Sequence, residues 1–140
     1  MCTLNACHNC LIQFPLALFS CGYLRVIDVS SNSISTFLPP PKSLPHLEVL
    51  RMEFNRLEVF PEGLNSSNFP NLRKLYLDSN QIVVLPDVAL HMSSITELSM
   101  SRNGLTTVPK DFLSSLTGLR VLNLSRNHIG KWQVLFVCCD

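Results

Sequence analysis

A single motif recurs along most of the chain at a nearly constant interval of 23 to 25 residues. Its anchor is an asparagine followed two positions later by Leu or Ile, and the copies lie at Asn9, Asn32, Asn55, Asn80, Asn103 and Asn127. Apolar residues precede each asparagine by three, five and eight positions, as Leu77, Leu75 and Leu72 precede Asn80. A period of this length is typical of a solenoid in which each repeat stacks on the next.

Further apolar columns follow each asparagine. Five positions after it stand Phe14, Phe37, Phe60, Leu85, Val108 and Trp132, and Pro follows the first, third, fourth and fifth of these. Three residues before each new repeat stand Cys21, Leu44, Phe69, Met92 and Leu116. Pro fixes φ without needing a donor, which suits a return turn on a wall built of loops.

The apolar spacing around each asparagine predicts a short strand. Leu75 and Leu77 alternate with Tyr76, so the two leucines point to one face and the tyrosine to the other. We expect six parallel strands, centred near Leu4, Ile27, Leu50, Leu75, Leu98 and Leu122, to stack in sequence order. The best candidate for a short helix is Asp111 to Leu116.

The pattern L-x-x-L-x-L-x-x-N-x-L in six copies resembles the leucine-rich repeat superfamily over residues 1–132. The resemblance implies an α/β solenoid with a parallel concave sheet and a convex side of loops and short helical turns. Repeats begin near residues 1, 24, 47, 72, 95 and 119, the last being incomplete, and 133–140 form an apolar tail without a recognisable cap. Each asparagine amide can donate and accept where the chain leaves its strand, so the column is expected to form a hydrogen-bonded ladder.

Composition and motifs exclude several classes of function. Eleven Lys and Arg against ten Asp and Glu leave a net charge of +1, too little to drive nucleic-acid binding. The longest apolar stretch, 10–19, is too short to span a bilayer. No phosphate loop or hydrolase motif occurs, and His8, His46, His91 and His128 occupy different repeat positions. We therefore expect no enzyme activity, cofactor, metal or small-molecule substrate.

The six cysteines allow more than one interpretation. Cys7 and Cys10 have the C-x-x-C spacing of zinc and redox sites, but no second pair follows. With Cys2 and Cys21 they loosely resemble the cysteine caps of extracellular repeat proteins; buried or free thiols are favoured because the repeat register runs through them. We favour a cytoplasmic protein, with secretion as the alternative, in which Asn65 and Asn123 would be glycosylation acceptors. The terminal Cys138 and Cys139 leave palmitoylation open.

The concave face is the expected interaction surface. Its outward positions include two aromatics, Phe54 and Tyr76, with Arg51, Arg73 and Arg102 within a repeat or so. Aromatic residues and Arg are enriched at the energetic centres of interfaces, so these five are the candidate partner-binding residues. The alternative is that Phe54 packs against its own repeat and the arginines are only solvated.

These observations predict a scaffold that binds a protein partner through its concave face. The repeats are similar to those of cytoplasmic signalling proteins, and the chain is interpreted as a fragment or isoform of a larger one. An extracellular ligand-binding ectodomain, or a regulatory array of a kinase or GTPase, is the alternative.

Overall fold

The computed structural model describes residues 2–132, with Lys131 and Trp132 described in their backbone only. The predicted tail at 133–140 lies outside the described residues. Six strands form one parallel sheet: β1 (Cys2–Asn5), β2 (Leu24–Asp28), β3 (Val49–Arg51), β4 (Lys74–Tyr76), β5 (Glu97–Ser99) and β7 (Val121–Asn123). The two remaining strands, β6 (Thr107–Val108) and β8 (Lys131–Trp132), pair with each other.

The predicted order and register of the large sheet are confirmed. The predicted strand centres are paired in sequence: Leu4 with Ile27, Ile27 with Leu50, Leu50 with Leu75, Leu75 with Leu98, and Leu98 with Leu122. The period of two within each strand and the fixed spacing of the apolar residues before each asparagine favour this register, because a slip of one residue would expose every buried leucine.

A second parallel ladder, which the sequence analysis did not predict, runs along the positions four residues after each asparagine. It consists of the β6–β8 pair and two isolated bridges, Gln13 with Thr36 and Val59 with Val84. These pairings join the first repeat to the second, the third to the fourth and the fifth to the sixth.

The convex side contains two short helices within the described residues. A 3₁₀ helix spans Leu16–Ser20, and α1 spans Lys110–Ser114. Both begin directly after a proline, Pro15 or Pro109, whose fixed φ suits the residue before a helix. The helix predicted at 111–116 is present, but it begins one residue earlier and ends two residues earlier. None of the helices in residues 2–132 combines the length and hydrophobicity needed to cross a bilayer.

The core lies between the sheet and the convex loops. The inward residues of the central strands, such as Leu50 and Leu75, are almost completely buried, and the Phe column adds a layer in which the rings of Phe14 and Phe37 lie 4.8 Å apart. One column member is an exception. Cys21 stands in the same column as the buried Leu44, but it is an exposed free thiol, one of the two states predicted for the cysteines. The short 3₁₀ helix that ends at Ser20 places Cys21 at the surface.

The asparagine column joins successive repeats through its amides. The Nδ2 of Asn80 donates to the carbonyl oxygens of Met52 and Leu77, both at 3.0 Å, and its Oδ1 accepts from the N–H of Leu57 at 3.0 Å. Asn32, Asn55, Asn103 and Asn127 repeat this pattern. Among residues 2–132, Asn9 donates only within its own repeat, to the carbonyl oxygens of Ala6 and Cys7.

Candidate protein-binding surface

The outward side chains of the large sheet form rows that cross the strands. The central row consists of Asn5, Asp28, Arg51, Tyr76, Ser99 and Asn123, which are consecutive register partners. Neighbouring strands lie about 4.8 Å apart, so long side chains in one row contact each other across the strands.

Arg51 and Tyr76 form the centre of this row. The guanidinium carbon of Arg51 lies 4.5 Å from the centroid of the Tyr76 ring, a cation–π contact. Arg51 Nη1 also lies 3.2 Å from Glu53 Oε1. The Arg51 side chain remains 43% exposed. A flexible residue is thus held in one orientation while part of its surface stays open to a partner.

Charged groups surround the tyrosine on its other side. Lys74 Nζ lies 3.3 Å from Glu97 Oε2. The neighbouring Tyr76 hydroxyl, as a hydrogen-bond donor, lowers the pKa of Glu97, and Lys74 lowers it further. Burial raises the pKa of the Tyr76 phenol, and Glu97 adds to that increase. At neutral pH the tyrosine is therefore a neutral donor beside a carboxylate.

Two further carboxylates lie where the strands end. Asp78 Oδ1 accepts hydrogen bonds from Ser99 Oγ at 2.6 Å and from the N–H of Ser101 at 2.9 Å. The Glu53 side chain is 15% exposed, and its Oε2 is buried without a hydrogen-bond partner among the described residues. Burial raises the pKa of Glu53, with Asp28 and Asp78 adding to the effect and Arg51 opposing it.

Phe54 lies beyond the end of its strand. Strand β3 ends at Arg51, and Phe54 follows at a left-handed turn position with φ of 55°. The residue before every repeat asparagine has this conformation, with φ between 52° and 56°: His8, Ser31, Phe54, Ser79, Arg102 and Arg126. A bulky residue is rare there, and Phe54 is 57% exposed, so it does not pack away against its own repeat.

The five candidate residues do not form one compact patch. Arg51 and Tyr76 are in contact, whereas Phe54 and Arg102 share the left-handed column at the carboxyl ends of the strands. Arg73 precedes β4 and lies at the opposite edge, where the strands begin. The edge where the strands end is the carboxyl edge of the sheet, and the edge where they begin is the amino edge. The N–H of Arg73 donates to the carbonyl oxygen of Glu48, which lies six residues before Phe54 in the chain. Six residues of extended chain span up to about 20 Å, which is the scale of the separation between the two edges.

A cleft at the amino edge contains Arg73. Its volume is about 340 Å³, and its lining also includes Tyr23, Arg25, His46, Glu48 and Asn71. The rings of Tyr23 and His46 are stacked, with centroids 5.7 Å apart and planes inclined by 9°. Arg25 forms an ion pair with Glu48.

Sequence reasoning missed this cleft and the carboxylates around Tyr76, although a signal for both was present. Tyr23, His46 and Asn71 each stand nine residues before a repeat asparagine, and Glu53 and Asp78 each stand two before one. Reading the outward columns for polar and aromatic neighbours in successive repeats would have identified them. The ring stack and the buried carboxylate oxygen depend on side-chain orientation, which column spacing does not determine.

Comparisons with known proteins agree with this architecture. Two models described as leucine-rich repeats match the chain, over residues 70–129 and 23–43. The chain is 30% identical to an adenylate cyclase of Schizosaccharomyces pombe over 131 residues, and 33% identical to Tsukushi of Rattus norvegicus over 138 residues. Each alignment covers 92% of this chain, which spans only 8% of the cyclase and 38% of Tsukushi.

A solved structure gives the same result at the level of the fold. A leucine-rich repeat protein of Leptospira interrogans superimposes with a TM-score of 0.82 at 27% identity, covering 93% of this chain and 32% of that protein. Repeat spacing, asparagine ladder, parallel sheet and comparisons agree: the chain belongs to the leucine-rich repeat superfamily.

Proposed function

We propose that residues 1–132 form a non-catalytic protein-binding module of a larger signalling protein, and that a protein partner binds its concave sheet. The observation that carries this proposal is the stack of Arg51 on Tyr76 in the middle of the sheet, at 4.5 Å. Tyr and Arg are enriched among residues that dominate binding energy, especially near the centre of an interface.

The surroundings of the stack favour a protein partner of mixed charge. Arg51 and Lys74 contribute positive charge, while Glu53, Asp78 and Glu97 contribute negative charge. Most of these groups are already held by ion pairs or hydrogen bonds, so less conformational entropy is lost when a partner binds them. A surface with both signs next to an aromatic ring matches the polar and aromatic character of protein interfaces.

Phe54 and Arg102 are proposed to extend this surface along the carboxyl edge. They occupy the same column two repeats apart, which corresponds to about 10 Å at the spacing of parallel strands. Arg73 is assigned to the amino-edge cleft and is left out of this surface.

An intracellular location is proposed for the module. Cys2, Cys7, Cys10 and Cys21 are free thiols in the structure, and three of them are exposed. Reducing compartments keep thiols in this form, whereas the cysteine caps of extracellular repeat proteins are disulfide-bonded. A secreted chain would instead carry these residues oxidised and a glycan on Asn65 or Asn123. Intact-mass analysis of protein isolated from its native cells distinguishes the two states.

The relatives leave open which larger protein contains the module. The match to an adenylate cyclase, of which the chain spans 8%, supports the alternative in which such an array regulates an attached enzyme. In that case the partner surface would contact a domain of the same polypeptide.

The test compares variants of the full chain against one purified partner, recovered first by capture from lysate. Tyr76→Ala and Arg51→Ala should each weaken binding at least about 30-fold, because anchor residues contribute about 2 kcal/mol or more. Asn123→Ala is the matched control, since Asn123 is exposed in the same row. Ser99→Ala is unsuitable, because Ser99 is buried and donates to Asp78. Equal binding of all variants would show that recognition occurs elsewhere.

A further inference from the structure

Backbone hydrogen bonds join the repeats along the amino-edge cleft. Among its side chains, Arg25 pairs with Glu48 and Asn71 donates to the carbonyl oxygen of Pro45. The N–H of Glu48 donates to the carbonyl oxygen of Arg25 at 2.8 Å, and the N–H of Arg73 donates to that of Glu48 at 2.9 Å. The three residues therefore lie side by side in successive repeats, where β2, β3 and β4 begin.

An aromatic platform forms one wall of the cleft. Tyr23 is 78% exposed, yet its ring lies parallel to the ring of His46 at 5.7 Å. Such a stack offers a flat apolar surface with polar edges, and Tyr in this setting is a common contact residue because it loses little conformational entropy on binding.

The cleft also has an uncompensated positive charge. Arg25 is neutralised by its ion pair with Glu48, whereas Arg73 has no acidic partner among the described residues. The charges of Arg25, Glu48 and Arg73 leave one guanidinium without a counterion beside the aromatic platform.

We propose that this cleft is a second recognition site, which binds an acidic segment of a protein partner. A carboxylate of that segment pairs with the Arg73 guanidinium, whose two parallel N–H donors match its geometry. An adjacent planar or apolar side chain lies on the Tyr23–His46 stack. The volume of about 340 Å³ accommodates one or two side chains of an extended segment. This site is separate from the Arg51–Tyr76 pair and does not depend on it.

The backbone favours a carboxylate over a phosphate as the ligand. The N–H groups of Arg73 and Lys74 both donate to the carbonyl oxygen of Glu48, at 2.9 and 3.0 Å. Phosphate sites on loops and helix ends use several free backbone donors, and these two are already engaged. A carboxylate is satisfied by the single guanidinium that remains.

The experiment titrates the full chain with a defined acidic peptide, acetyl-Glu-Trp-Glu-amide, followed by amide chemical shifts in NMR spectra. The control ligand is acetyl-Gln-Trp-Gln-amide. We expect the acidic peptide to bind about tenfold more tightly, since the neutral peptide cannot form the charge-assisted pair, and to shift the amides around Tyr23, His46 and Arg73.

Variants separate this site from the rest of the surface. Arg73→Gln should weaken the acidic peptide about tenfold, and Tyr23→Ala should weaken both peptides. Arg120→Gln is the matched control, because Arg120 is exposed seven residues before a repeat asparagine, as Arg73 is, but lies outside the cleft. Tyr76→Ala should bind the acidic peptide as the unmodified chain does.

Three results would overturn the proposal. The first is equal binding of the acidic and neutral peptides. The second is a loss of affinity with Arg120→Gln or Tyr76→Ala that matches the loss with Arg73→Gln. The peptide would then be attracted by the overall positive charge or would bind the central row of the sheet. The third is inorganic phosphate producing the same shifts at the same concentration, which would assign the cleft to a phosphate group.

Discussion

The two edges of the concave sheet are held together in different ways. At the carboxyl edge, side-chain amides of Asn55, Asn80 and Asn103 bridge successive repeats and are almost fully buried. At the amino edge, backbone N–H and carbonyl groups join the repeats, and the side chains that add to them, such as Asn71, are exposed, as are Arg25 and Arg73.

This difference separates stability from recognition along the same strands. A position whose side chain satisfies buried backbone groups must keep its chemistry, because the alternative leaves several polar groups unpaired. At a position whose backbone N–H and carbonyl groups already bond to neighbouring repeats, an exposed side chain can vary without leaving a buried polar group unpaired. The amino edge and the central row are therefore the regions where the surface can acquire a partner-specific character.

The largest loss of stability is expected at a buried leucine on a strand between the two edges. Leu75 is 1% exposed and lies between Leu50 and Leu98 in register. Leu75→Ala should reduce the free energy of unfolding by about 2 to 5 kcal/mol, as measured by urea denaturation, because it leaves a cavity in the core. A loss below the effect of the asparagine variants would mean that the ladder, and not the leucine layer, dominates stability.

The direct test of the comparison uses two asparagines that each donate to the preceding repeat, at opposite edges of the sheet. Asn80 donates to Met52 of the preceding repeat and is buried, whereas Asn71 donates to Pro45 at 2.7 Å and is exposed. Asn80→Ala should cost about 1 to 3 kcal/mol, since buried groups lose their partners. Asn71→Ala should cost at most about 0.5 kcal/mol, because water replaces the amide. Equal losses would remove the distinction between the edges.

Phe54 allows a test of whether function opposes stability at the carboxyl edge. Phe54→Asn should increase the free energy of unfolding by about 0.5 to 1 kcal/mol, because Asn tolerates the left-handed region better. The control is Leu38→Asn, at a residue of similar exposure, 53%, that is absent from the left-handed set. A thermal melt of both variants decides the question. Destabilisation by Phe54→Asn equal to that by Leu38→Asn would show that the exposed ring contributes to the fold.

The smallest expected effect is the pH dependence that Glu53 contributes. Its pKa is raised above 4.5 in the folded chain, so the ionised form opposes folding at neutral pH. As the pH falls through that raised pKa towards 4.5, the folded state takes up the proton first and this group's contribution becomes more favourable.

Glu53→Gln should lack that gain. Urea denaturation between pH 7 and 4.5 should therefore show the stability difference moving in favour of the unmodified chain as the pH decreases. Glu97, whose pKa is lowered, is present in both proteins, so its opposite contribution cancels. A difference that stays constant with pH would contradict the buried position of Glu53.

Most of the scaffold was predictable because its determinants are periodic. The strand centres from Leu4 to Leu122 and their order follow from columns of apolar residues, since only one register buries all of them. The short helix near α1 was also identified, with its bounds displaced by one or two residues. For Cys21 the sequence left burial or a free thiol open, because its column position does not reveal the 3₁₀ helix that ends beside it.

The candidate site was predictable only in part. The aromatic and arginine residues were visible in the sequence, and the contact of Arg51 with Tyr76 follows from the register. The position of Phe54 beyond the end of its strand was not predictable. The left-handed residue before each asparagine interrupts the alternation of inward and outward side chains on which the outward columns depend.

By itself, then, the sequence determined the repeat, the parallel sheet and the buried layer, because these depend on apolar spacing that every copy shares. Only the tertiary structure decided that Arg73 faces a cleft with Tyr23 and His46, that Glu53 has a buried oxygen, and that Ser99 is engaged by Asp78. These arrangements depend on side-chain rotamers and on residues from different repeats, which differ from copy to copy. Periodicity specifies the features that the repeats have in common, whereas recognition resides in those that distinguish them.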